Sequence, residues 1–140
     1  MIAQKKWEHF SHESDIGVRG FGSTLSEAFA MGALALTHVI THSQLIQPLK
    51  KFHIHCEAPN QEILFVDWLN AIIYNMAIHK MLFSQFDVTI KGLKLTAIIA
   101  GEQVDITRHQ PAVEVKGATF TELKVHQNNQ TWIAQCVVDV

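Results

Sequence analysis

The chain has 140 residues, of which 48% are apolar and 17% charged, and its formal net charge is −2 with the nine histidines neutral. That length suits one domain with its own hydrophobic core, and the composition excludes intrinsic disorder, which needs few apolar residues and a high net charge. The basic residues are thinly spread, with Lys5-Lys6 and Lys50-Lys51 the densest runs, a pattern that disfavours unaided binding to nucleic acid.

Short strands are expected over residues 6–10 and 16–22. Thr24 followed by Glu27 fits a capping box, and Leu25, Phe29, Gly32 and Leu36 follow at helical spacing, which predicts a first helix over 24–42. Leu49 to Glu57 reads as a strand in which Phe52, Ile54 and Cys56 alternate with Lys51, His53 and His55. Pro59-Asn60 then breaks the chain and offers an N-cap to a second helix over 61–79. That helix is apolar on most of its circumference and is expected to lie against a sheet. Its polar exceptions Asp67, Asn70 and Tyr74 share one face.

Residues 86–90 and 93–100 read as strands flanking a turn at Lys91-Gly92. Val113 to Val125 and Thr131 to Val138 read as a second pair, joined by Gln127-Asn128-Asn129-Gln130. The chain has no Pro/Gly/Ser linker and no repeat, so a single domain over 1–140 is expected. The fold class is α+β, two helices packed on a mostly antiparallel β-sheet. With no apolar leader and no run near the ~18 residues of a membrane span, a cytoplasmic location is expected. Cys56 and Cys136 form no CxxC pair and read as two buried free thiols.

The chemistry of single motifs is weak. On a strand, His53 and His55 share a face while Cys56 points the other way, so three ligands do not converge there. His38 and His42 sit one helical turn apart without the intervening Glu of a zinc-protease helix. Gly17, Gly20 and Gly22 match neither a dinucleotide fingerprint nor a P-loop, and read as strand and turn glycines. There is no nucleophile elbow and no HExxH helix. Two acids remain: Asp15, in the polar turn His12-Glu13-Ser14-Asp15-Ile16-Gly17, and Asp139, after the apolar run Ile133 to Val138. A lone Asp in a turn ordinarily bonds local backbone, and one at a strand end is ordinarily solvated.

The stretch Trp7-Glu8-His9-Phe10-Ser11-His12-Glu13-Ser14-Asp15-Ile16-Gly17-Val18-Arg19-Gly20-Phe21-Gly22 resembles the opening signature of the archease family, with its H-x-x-D-I-G core. Ser26-Glu27-Ala28-Phe29, Ala33-Leu34-Ala35-Leu36 and Val66-Asp67-Trp68-Leu69-Asn70 are similar to its two helices. Gly101-Glu102, Asp105, His109 and Glu114-Val115-Lys116 resemble later blocks, and Trp132 to Val140 resembles its C-terminus. The resemblance runs over nearly the whole chain.

It implies the archease fold and a small, non-catalytic partner of the RNA-splicing ligase RtcB. Such a partner promotes the ligase's metal-dependent guanylylation and turnover, with RNA met only indirectly and no membrane involved. A chaperone or modulator of a tRNA-modifying enzyme is a second role proposed for the family. The resemblance also implies a divalent metal, Ca²⁺ in the isolated protein, held by Asp15, Asp139 and the terminal carboxylate of Val140, with Lys116 and His12 toward the partner. A metal-dependent hydrolase using the same carboxylates is the alternative from a different class. Two departures stand out. Glu13-Ser14 replaces a common Thr-Ala, and Thr119-Phe120-Thr121 replaces a common Thr-Tyr-His, losing a hydroxyl and an imidazole.

Overall fold

A computed structural model describes residues 4–140. Strand β1 (Lys6–His12) turns through Glu13-Ser14 into β2 (Asp15–Gly22). The left-handed backbone that tight turns demand falls on Glu13, at φ +53°. Helix α1 (Leu25–Ile40) follows, with Thr24 as N-cap accepting from the Glu27 amide at 3.1 Å. The return half of the capping box is shifted by one residue. The Glu27 carboxylate accepts from the Ser23 amide at 2.9 Å and the Ser23 hydroxyl at 2.8 Å, and these bonds hold its carboxyl below the ordinary range.

After a single 3₁₀ turn, Ser43–Leu45, come β3 (Lys50–Glu57) and α2 (Gln61–His79). Asn60 caps α2 by accepting from the Ile63 amide at 2.8 Å. Strands β4 (Met81–Lys91) and β5 (Lys94–Gln103) form a hairpin longer than the sequence suggests. Gly92 takes φ +63° at its turn, a conformation glycine adopts without steric cost. Then come α3 (Ile106–His109), β6 (Gly117–Ala118), β7 (Lys124–Asn128) and β8 (Thr131–Asp139).

The strand expected over Val113 to Val125 is not continuous. Residues 111–116 are irregular, only Gly117–Ala118 pair before the turn at Thr121-Glu122, and pairing resumes at Lys124. Past Ala118 the chain stays bonded to β8, with the Thr119 amide donating to the Val137 carbonyl and the Val137 amide to the Thr121 carbonyl, each at 3.0 Å, while the Thr119 side chain bends it into a turn. The Thr119 hydroxyl donates to the Val137 carbonyl at 2.8 Å and accepts from the Thr121 amide at 3.1 Å, offering the backbone a turn in place of a ladder.

The strands form two antiparallel sheets rather than one. The first has the order β1-β2-β8-β6, with β7 also paired to β8; the second is β3-β5-β4. Helix α1 packs on β2 and β8 and also beside β4, and α2 touches α1 and strands of both sheets. The core sits where these surfaces meet. Phe29, Phe65, Trp68 and Phe83 are fully buried, and the Trp68 indole donates to the Phe29 carbonyl at 2.9 Å.

Gly20 permits the closest approach. A Cβ there would collide with the Ala28 carbonyl and the backbone of Gly32, so α1 can lie directly on β2. The glycines of β2 are therefore packing residues and form no phosphate loop. Cys56 on β3 and Cys136 on β8 are both free thiols, in different sheets. Cys136 is buried as expected, whereas Cys56 is only half-buried, because its edge strand is covered on one side by α2.

Candidate metal site

Register determines where the two acids lie. Ile16 pairs with Val138 across β2 and β8, so the next step of the ladder sets Asp15 opposite Asp139. His12 pairs with Asp15 on the other side, and Gly117 with Asp139. His12, Asp15, Asp139 and Gly117 thus form one row across four strands. Directly opposed residues share a sheet face. Gly20 faces α1, so by alternation Asp15 and Asp139 occupy the face opposite α1.

The chain end is fastened to this row. Val140 packs its side chain against the core, and its amide donates to Asp15 Oδ1 at 3.4 Å. The Lys116 amide donates to the Asp139 carbonyl at 2.8 Å. Asp139 is exposed and Asp15 half-buried. Asp15, Asp139 and Val140 are therefore brought together, with Lys116 one residue before β6 and His12 across from Asp15.

No three His, Cys, Asp or Glu side chains converge as a metal cage among the described residues. His12, Asp15 and Asp139 therefore form no side-chain triad among the described residues. The donor chemistry fits a hard cation. Two Asp side chains and a backbone carboxylate offer only anionic oxygen, the set Ca²⁺ takes, and lack the imidazole and thiolate that zinc favours. Glu13, in the adjoining turn, is exposed.

The other sequence motifs have different roles. The Asn70 side chain accepts from the Ala118 amide at 2.9 Å and so secures β6 to α2. His53 and His55 are exposed on the outer face of β3, and Cys56 points inward. His38 stacks on Trp7 at 4.4 Å between ring centroids and bonds the Ser43 hydroxyl at 3.0 Å. Burial, followed by the neighbouring His42 and His9, pushes its imidazole below the ordinary range.

Glu102 and His109, both buried, form a hydrogen-bonded knot with the exposed Asp105 and Arg108. Glu102 receives both Arg108 guanidinium nitrogens, at 2.6 and 2.9 Å, and the Gln47 amide at 2.7 Å. The Asp105 amide donates to His109 Nδ1 at 2.8 Å, so the ring proton sits on Nε2 and is donated to Glu102 at 3.0 Å. The Arg108 hydrogen bonds hold the Glu102 carboxyl down at about 2. Sequence reasoning missed Arg108. The only signal was Asp105 three residues ahead of it, which caps α3 by accepting from the Arg108 amide at 3.2 Å.

The class of protein defined by this arrangement is α+β, and the solved structures share it. Protein 1598 of Methanobacterium thermoautotrophicum superposes with a TM-score of 0.85 at 27% identity, covering 96% of this chain and 98% of that one. The crystal structure of an archease, described as a possible chaperone, from Thermotoga maritima gives 0.62 at 16% identity over 95% and 96% of the chains, a likeness of fold alone.

Residues 7–140 match the model of the archease protein family (MTH1598/TM1083). The protein archease of Pyrococcus abyssi is 35% identical over 97% of this chain and 99% of its own length, and that of Methanosarcina barkeri 30% identical over 97% of each. The chain belongs to the archease family.

Proposed function

We propose that the chain holds a divalent cation between Asp15, Asp139 and the Val140 carboxylate and acts, without catalysing a reaction itself, as an activator of an RtcB-type RNA-splicing ligase. Family membership supports the partner. The observation that carries the site is the β2–β8 register, which sets Asp15 opposite Asp139 while the Val140 amide reaches Asp15 Oδ1 at 3.4 Å.

Three anionic oxygen groups side by side repel one another, and a cation relieves this. Calcium takes about 6–8 oxygen ligands, so three protein groups leave positions for water or for a partner's ligands. When bound, the metal supplies positive charge and open coordination at the ends of two neighbouring strands, β2 and β8, inside the first sheet. Asp15 and Asp139 grip it from two adjacent strands, and the core contact of Val140 keeps the third carboxylate in place. RNA is met through the ligase.

Titration with Ca²⁺ by calorimetry tests the site. Asp15→Asn, Asp139→Asn and a glycine added after Val140 are each expected to weaken binding about tenfold or more, since each removes one anionic ligand. Undiminished affinity in all three ends the site assignment. Ligase guanylylation and turnover are expected to rise when the wild-type chain is added with GTP and metal. Unchanged turnover over a range of metal concentrations ends the activator role.

A further inference from the structure

Helix α2 is apolar around most of its circumference, a pattern that ordinarily means burial on every side. Its buried residues nevertheless end at Ile72. Beyond that point Tyr74 is 62% and Ile78 52% exposed. Ile73, Met76 and Ala77 form one wall of a groove of about 660 Å³. The irregular strip Val113–Lys116 lines it too, and Glu114 and Lys116 are its only charged lining residues.

Two further observations bear on what covers this groove. The Ala112 amide donates to the Ile40 carbonyl and the Lys116 amide to the Asp139 carbonyl, each at 2.8 Å. Between them, the amides of Val113, Glu114 and Val115 donate to no backbone carbonyl among the described residues. Lys116, the groove's one cation, is exposed and takes part in no ion pair among the described residues.

We propose that the groove docks a short, extended, apolar segment of a protein partner. The segment's backbone pairs with Val113–Val115, its side chains fill the space against α2, and an acidic residue in it meets Lys116. Open backbone groups along an apolar trough are what strand addition uses. A second copy of this chain fits less well, because an isologous contact sets a patch against itself and a groove facing a groove leaves a void. The Lys116 end adjoins Asp139, so the occupant lies beside the carboxylate row. Taking the ligase as that partner rests on the function proposed above.

The test is equilibrium binding of the purified ligase to the full chain at fixed divalent metal. Ala77→Asp and Val113→Asp place a charge in the groove at side chains that already reach solvent. Each is expected to raise the ligase Kd about tenfold or more with Ca²⁺ affinity unchanged. Lys116→Glu is expected to raise the ligase Kd likewise and Lys116→Arg to retain wild-type binding. Leu49→Asp, at a residue 68% exposed and outside the groove, is expected to leave the Kd unchanged.

Groove variants that bind the ligase as tightly as wild type overturn the docking site while leaving the activator role intact. Failure of the wild-type chain to bind the ligase overturns both. A concentration-dependent dimer in sedimentation that Ala77→Asp abolishes also overturns it, assigning the groove to a second copy.

Discussion

Glu102 is a carboxylate placed inside the protein with its partners chosen in advance. Arg108, the Gln47 amide and His109 all donate to it, and its carboxyl is held at about 2 rather than the ordinary 4.5. A lowered folded-state value means that the stabilisation is complete above about 4.5 and is lost as pH falls toward 2. The urea midpoint of the wild-type chain should therefore drop across that window. That of Glu102→Gln should start lower and change less, and equal slopes would show that the knot contributes nothing. Gly20 tests packing at the same scale. A methyl group there meets the Ala28 carbonyl and the Gly32 backbone, neither of which can swing aside, so Gly20→Ala should cost about 1–3 kcal/mol by urea denaturation.

Elements whose signals are local were legible in the sequence. Helix α1 starts at its Thr24 cap and α2 at its Asn60 cap, because capping needs only the residue and its neighbours within one turn. Thr24→Ala should accordingly cost about 1 kcal/mol, again by urea midpoint. The segment from Val113 to Val125 misled because Val113-Glu114-Val115-Lys116 alternates as a half-buried strand does. Alternation reports that one side is covered and does not report whether a neighbouring strand is there to pair with. Val115 is indeed buried, yet the strip runs unpaired along α2. The apolar circumference of α2 was read correctly as a helix lying against sheet, since it touches strands of both sheets, but it did not show that Tyr74 and Ile78 on its last turns stay exposed.

The pairing of Asp15 with Asp139 was not legible from spacing, because the β2–β8 register depends on how the whole sheet closes. Only the resemblance to a family linked the two acids. The α+β class was legible from the order of elements, but the division into two sheets was not, since strand pairing is set by contacts distant in sequence. Cys136 reports on the molecule as a unit. Burial in β8 pushes its thiol up to about 12, and the half-buried Cys56 on β3 to about 11. Since the thiolate is the reactive form, neither should react readily with a disulfide reagent near neutral pH, and Cys136 should react only at the rate of global opening. Modification of Cys136 faster than hydrogen exchange of the β8 amides would contradict this.

Strand β8 lies inside the first sheet, with β2 on one side and β6 and β7 on the other, yet it is the last strand in the chain. During synthesis β1, β2 and α1 leave the ribosome with their central neighbour still unmade. Helix α1 then lacks the support it takes from β8, and one edge of β2 stays open. A nascent chain stopped short of residues 131–139 would hold neither the closed sheet nor the carboxylate row. Until Thr131–Asp139 has been made, β2 has no partner on that side and Asp15 has no facing Asp139.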